Sequence, residues 1–248
     1  MARRAGAVAE RPVRLEVNGR ALESWTASPG LAEALAAGRL LVGGWIEGRL
    51  DLLGLDILED GGITVIRAHV PVGCAVTGEE RRALRASGGF PALVARLRER
   101  CGQAGVATRA PLPPHDGLPS LFRDLFGGAE LHRETGGLHS AALSDGQSLH
   151  HRLEDVARHS AVDKAIGCAL LAGDNLPALG LVISARVSGE MALKCAEAGL
   201  AWIASRSVPT TLAVDVATAA GMPIVARAAS SDPVVFPAPA SAPGEAGA

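Results

Sequence analysis

The chain has 248 residues, 48% of them hydrophobic, and a formal net charge of −2. That length and apolar content can bury a sizeable core, as one large domain or two modest ones. Near-neutral charge, with three Trp, four Phe and no Tyr, offers neither the basic field nor the stacking platforms of a nucleic-acid binder. No apolar run approaches the roughly 20 residues of a membrane span and no signal-peptide core follows Met1. Cys74, Cys101, Cys168 and Cys195 show neither short metal spacing nor disulfide density. A soluble, cytoplasmic protein is expected.

Residues 1–11 read as disordered. Val13 to Val17 and Ala21 to Trp25 alternate around Asn18-Gly19, a strong hairpin turn. Ser28 and Pro29 then open a helix to about Leu41 as N-cap and first helical residue. Leu55 to Leu58 and Ile63 to Val70 form a second hairpin around Glu59-Asp60-Gly61-Gly62. Residues 79–101 read as one or two basic helices, which completes an N-terminal α+β unit over 12–101. Gly102 to Gly117, rich in Gly and Pro, marks a linker or mobile loop. A second domain over 118–228 starts with a helix at 118–126 and a hairpin at 139–153. Helices at 158–171, 188–198 and 210–220 then alternate with strands at 179–184, 201–204 and 223–227. That alternation implies a largely parallel sheet covered on both faces. Residues 229–248, rich in Pro and Ala, read as a flexible tail.

The densest run of ionisable residues is Glu154 to Lys164. Val162, Ala165, Ile166, Ala169 and Leu170 recur at helical spacing, with His159, Asp163 and Gly167 on the other side, so an amphipathic helix is expected. Glu154 and Asp155 precede its first turn, where carboxylates cap helix N–H groups and complement the dipole. Only Lys164 and Lys194 are lysines among 24 basic residues, which draws attention to both as compact, deprotonatable cations. Glu190 and Lys194 have the spacing of a surface ion pair.

In an open α/β sheet, ligands bind at the carboxyl ends of strands. Two matching loops stand there, Ser184-Ala185-Arg186-Val187-Ser188-Gly189-Glu190 and Ser205-Arg206-Ser207-Val208-Pro209-Thr210-Thr211. Each places hydroxyls and an Arg before a helix N-terminus, the chemistry of a phosphate seat, although Ser188 and Ser207 also suit plain N-caps. Five of the seven histidines crowd into 132–159 without a metal-binding spacing, so no metal site is expected. Cys101 lies beside Arg98 and Arg100, where nearby cations favour a thiolate, while the preceding helix C-terminus opposes it.

Taken together, Thr135 to Ala142, Glu154 to Lys164, Ser184 to Met191 and Ser205 to Val214 resemble, in order, the motif blocks of the FdhD/NarQ family, the formate dehydrogenase accessory proteins. The resemblance covers roughly residues 12–228. It implies an α/β fold with a C-terminal cytidine-deaminase-like α/β/α sandwich and a smaller N-terminal α+β domain. It implies a cytoplasmic homodimeric sulfur carrier that accepts persulfide sulfur from a cysteine desulfurase. The sulfur passes to the molybdenum cofactor in its bis-molybdopterin guanine dinucleotide form, destined for formate dehydrogenase, with GDP or GMP as a surrogate ligand and no zinc. Cys101 is then the sulfur-bearing residue. The cofactor contacts fall on Gly136, Gly137, His139, Glu154, Asp155, Arg158, His159, Asp163, Lys164, Ser184, Arg186, Ser188, Glu190, Lys194, Ser205, Arg206, Ser207, Thr210 and Thr211.

Where a deaminase shows His-Ala-Glu, this chain has His139-Ser140-Ala141. The family's sulfur loop usually reads Cys-Gly-x-Cys-Gly, whereas Cys101 to Gly105 carries Ala104 at the second cysteine. A rival register places Ser87-Gly88-Gly89 at that loop and removes both cysteines. The competing reading is therefore a molybdenum-cofactor-binding chaperone that moves no sulfur.

Overall fold

The computed structural model describes residues 7–87, 89–103 and 110–237, excepting the side chains at 84, 85, 87 and 100–103. Strands β1 (Arg11–Val17) and β2 (Arg20–Ala27) pair antiparallel through Asn18 and Gly19.

 Both turn residues adopt positive φ, as a tight two-residue hairpin requires. Strands β3 (Gly54–Asp60) and β4 (Ile63–His69) turn at Gly61-Gly62 alone, so Glu59 and Asp60 belong to β3. The four strands form one sheet in the order β2-β1-β4-β3.

Helix α1 (Ala32–Gly43) starts later than the Ser28-Pro29 pair predicts. Ser28 is engaged elsewhere: its hydroxyl accepts the Val156 N–H and its own N–H points at the Asp155 carboxylate. Gly30 and Leu31, both at positive φ, redirect the chain before the helix begins. Helices α2 (Val72–Ser87) and α3 (Gly89–Gln103) follow. Cys101 therefore sits on helical backbone in the last turn of α3, not in the expected loop. Residues 104–109 of that expected loop lie outside the described residues, as do 1–6 and 238–248 of the two expected flexible ends.

The second sheet has the order β10-β9-β8-β7-β5-β6. Its members are β5 (His139–Ser144), β6 (Leu149–Asp155), β7 (Gly180–Ile183), β8 (Ile203–Ser205), β9 (Ile224–Ala226) and β10 (Val234–Phe236). Only β7, β8 and β9 run parallel; β5, β6 and β10 join antiparallel, so the sheet is mixed rather than largely parallel. Strand β10 lies inside the stretch expected to be a tail. Helices α4 (Leu118–Gly127) and α5 (Glu130–Thr135) precede β5, and α6 (Arg158–Ala172), α7 (Gly189–Glu197) and α8 (Thr211–Ala220) connect the later strands.

Alternation along the strands divides the core. Leu181, Ile183 and Ile203 point into the main cluster with α6, α7, α8 and the N-terminal sheet, while Val182 and Ala204 meet Leu121, Phe122 and Leu125 of α4 on the other face. The main cluster runs unbroken from Leu15 and Leu40 to Ala165 and Ile183, across the expected domain boundary.

What joins the two sheets is the contact of α1 with α6. A Cβ added at Gly167 would fall 1.8 Å from the Ala34 carbonyl oxygen, and one at Gly38 would fall 1.9 Å from that of Asp163. Only glycine permits this approach. Residues 160–167 are all buried, so α6 is not amphipathic; its expected polar stripe packs against α1.

Candidate functional site

Asp155 and Lys164, both essentially buried, form an ion pair of 2.7 Å. Lys164 Nζ also donates to the Ser28 carbonyl at 2.8 Å, and Asp155 accepts the Ala157 N–H. The pair thus fixes the entry to α1 against the entry to α6, and Lys164 has no free face toward a ligand. Glu154 does not cap α6. Its carboxylate instead accepts the Leu131 and His132 N–H groups at the start of α5.

A second ionic group spans four elements. Asp163 of α6, fully buried, receives Lys194 of α7 at 2.5 Å and Arg39 of α1 at 3.0 Å, and Arg39 grips Glu23 of β2 through two bonds of 2.6 Å. Burial pushes the Lys194 ammonium below the ordinary lysine range, against the pull of Asp163. The expected surface pair of Glu190 with Lys194 does not form, because Lys194 turns inward to Asp163. Glu190 stays exposed, 3.8 Å from His159 Nε2. Burial, with help from Lys194, holds the His159 pKa low, so the ring is neutral near pH 7.

The two strand-end loops lie side by side, joined by a parallel bridge between Val187 and Pro209 and by the Thr210 N–H on the Val187 carbonyl at 2.9 Å. Their hydroxyls are occupied in holding the loops. Ser184 Oγ accepts the Ser140 N–H, and Ser205 Oγ donates to the Ala185 carbonyl while accepting the Ser207 N–H. Ser188 caps α7; Thr210, rather than Ser207, caps α8, with Thr211 as the first helical residue.

What the loops leave free is cationic. Arg186 and Arg206 are exposed and form no ion pair among the described residues, and Arg206 lies 5.2 Å over the Phe126 ring. The same edge of the sheet carries the start of β5 and the end of β6, since His139 pairs with Asp155. It therefore also holds Gly136 and Gly137, which lead from α5 into β5, and Arg158 at the start of α6. Arg158 Nε and Ser140 Oγ are buried without a hydrogen-bond partner among the described residues. Burial and the neighbouring Arg158 lower the His139 pKa. Arg158, Arg186 and Arg206 form no ion pair among the described residues and stand near the N-termini of α6, α7 and α8, an arrangement whose chemistry can attract an anion.

Immediately behind the edge opens a cleft of about 820 Å³. Its walls come from β2, α1, α2, α3, α6 and α7, and His159, Glu190 and Lys194 line it together with Glu23, Trp25 and Arg39. The last three were not legible as site residues: they come from β2 and α1, where no motif marks them. An Arg on the mostly apolar α1, whose other charged residue is Glu33 in the first turn, and a Glu-x-Trp on one face of β2 were the available signals.

Cys101 stands apart from the cleft. Phe90, near the start of α3, lines the cleft and lies close to Gly189. Leu93 is the last residue of α3 to line the cleft, and Cys101 is eight residues further along, roughly 12 Å at about 1.5 Å per residue. Among the described cysteines, burial pushes the Cys195 thiol up to about 12 and also raises Cys168 and Cys74. No three His, Cys, Asp or Glu side chains among the described residues converge as a metal-binding group. No described helix is long and apolar enough to cross a membrane.

Comparison with known proteins agrees with the motif blocks. Residues 8–242 match the model of the FdhD/NarQ family. The sulfur carrier protein FdhD of Bordetella petrii is 33% identical over 245 residues, covering 93% of this chain and 84% of that protein. The protein of the same name from Thermoplasma acidophilum is 34% identical over 204 residues, covering 80% and 71%. A crystal structure described as a formate dehydrogenase accessory protein, from Desulfotalea psychrophila, shares the fold with a TM-score of 0.72, at 24% identity over 93% of this chain and 88% of that one. The chain belongs to the FdhD/NarQ family.

Proposed function

We propose that this chain handles the molybdenum cofactor, in its guanine dinucleotide form, during maturation of a formate dehydrogenase, and carries sulfur to it on Cys101. The observation that carries the first half is the row of arginines, Arg158, Arg186 and Arg206, that form no ion pair among the described residues and stand near three helix N-termini beside a large cleft. A dinucleotide offers phosphates to such a row and rings to the cleft. The sheet with helices on both faces supports the cytidine-deaminase-like reading of the C-terminal part, and the cytoplasm and a homodimer complete the proposal.

For the sulfur step, the Cys101 thiolate attacks the outer sulfur of the persulfide on a cysteine desulfurase. The new S–S bond forms as the desulfurase cysteine leaves as its thiolate. Support comes from the names of the relatives and from the raised pKa values of Cys74, Cys168 and Cys195, which leave Cys101 for the role. Mass spectrometry after incubation with a desulfurase and cysteine is expected to show one added sulfur on Cys101. An unmodified Cys101 would reject the step.

One observation favours a second reading, binding without sulfur transfer. The junction of α2 and α3 stands at the cleft, marked by Phe90, and has no cysteine; Cys101 lies at the far end of α3. On that reading Cys101→Ser keeps both guanine-nucleotide affinity and formate dehydrogenase maturation in cells. Loss of maturation in this variant, with affinity retained, assigns the sulfur role to Cys101.

A further inference from the structure

A second concavity lies behind the segment that closes the main cleft. Gly43 and Trp45, at the end of α1, line the cleft, while Gly44 and Ile46 line a groove of about 360 Å³ together with Glu47, Asp51, Cys74 and Thr77. The Trp45 ring packs onto α2, where a Cβ added at Gly78 would fall 2.3 Å from it, so this segment stands between groove and cleft. The rim of the groove is apolar and open to water. Leu50 and Leu53 flank Asp51 in the chain, and Val72 and Val76 flank Cys74 on α2; they are 93%, 66%, 78% and 54% exposed. The Leu53 N–H bonds the His69 carbonyl at 2.9 Å, which holds that end of the rim against the entry to α2. Single exposed apolar side chains are ordinary, whereas a cluster around a concavity marks a contact surface.

The charge around this rim has one sign. From Glu47 to Asp60 the chain has five acids and one basic residue, Arg49, whose guanidinium lies beside Gly173 at the end of α6; residues 72–78 carry no charge. Asp51 is engaged by the Glu47 and Gly48 N–H groups. The Glu47 carboxylate is exposed and forms no ion pair among the described residues. Burial and these two carboxylates raise the Cys74 thiol, so its sulfur adds no charge at neutral pH.

We infer that the groove docks an amphipathic helix of a partner protein, its apolar face on Leu50, Leu53, Val72 and Val76 and its Lys or Arg side chains on Glu47. Val72 and Val76, four apart, form one ridge of α2, which a partner helix matches with apolar residues three and four apart. The acidic rim sets the sign of the partner: it attracts a cationic helix, whereas a second copy of this chain would bring one acidic rim against another. Since the Trp45 segment separates groove from cleft, the partner seats without blocking the cleft, whatever ligand the cleft takes.

The experiment is fluorescence anisotropy on the full chain with two labelled peptides of about 15 residues. Both carry leucines at helical i, i+3 and i+4 spacing; one has lysine elsewhere and the other glutamate. Saturable binding of the lysine peptide alone is expected. Its affinity is expected to fall about tenfold or more when Val72→Ser and Val76→Ser are combined, through lost apolar contact. Glu47→Lys is expected to weaken it roughly threefold to tenfold through the reversed charge. These side chains are exposed, so the changes leave the fold intact. Asp232→Lys, an equal charge change at an exposed site before β10, is expected to leave the affinity unchanged. No saturable binding, equal losses in Glu47→Lys and Asp232→Lys, or indifference to the double valine variant would overturn the inference. Sedimentation showing a dimer of the parent chain that the double valine variant abolishes would overturn it too, by assigning the face to a second copy.

Discussion

His159 shows how a single residue was half legible. Its position after Arg158 marked it for the site, but only the structure reveals that its Nδ1 is buried and unbonded and that burial lowers its pKa. The sign of the resulting pH dependence follows. The folded state holds the proton less tightly than the unfolded chain, whose histidine titrates near pH ~6.5, so unfolding takes up protons as pH falls. Stability is complete above the unfolded value and is lost as pH drops through it toward the lower folded value. Denaturant unfolding of His159→Gln between pH 5 and 8 is expected to give a flatter decline below pH ~6.5 than the parent chain. An unchanged slope would mean the ring is not held neutral by the fold. His139, lowered for similar reasons, contributes with the same sign and accounts for part of the remaining slope.

At the scale of elements, the hairpins and the strand–helix alternation after residue 158 were legible, because period-2 and period-3.6 patterns and Asn-Gly or Gly-Gly turns are local physics. The start of α1 was not, because Ser28 and Pro29 satisfy every local rule for a cap while the Ser28 hydroxyl is taken by Val156, 128 residues away. The true burial of α6 was equally hidden. Its acid and lysine looked like a solvated stripe, and their partners, buried Asp155 and the partly buried Arg39 and Lys194, lie on other elements. Gly167 lay in that same stripe without any sign that it meets α1. Gly167→Ala is expected to force the helices apart, with a loss of roughly 1–3 kcal/mol or more from overpacking, read as a lower midpoint in urea. A neutral outcome would show that α1 and α6 do not approach as closely as described.

For the molecule as a whole, one charged chain of contacts ties the two sheets: Glu23 to Arg39 to Asp163 to Lys194. Each member stands on a different element, so sequence spacing could not assemble it. Removing the central charge leaves Lys194 uncompensated in a largely buried place, while Arg39 keeps Glu23. Asp163→Asn is therefore expected to cost roughly 3–5 kcal/mol, measured by chemical unfolding, and to weaken ligand binding through the displaced Lys194 and Arg39. Stability unchanged by this variant would show that the network is not what holds the sheets together.

The account turns on the arginine edge, formed where two strand-end loops bridge at Val187 and Pro209. Its most direct test is the dissociation constant for GDP in Arg186→Ala and Arg206→Ala. Each variant is predicted to lose roughly 1.5–3 kcal/mol of affinity, the worth of a hydrogen bond to a charged group. GDP binding unaltered in both variants, with their folds intact, would contradict it.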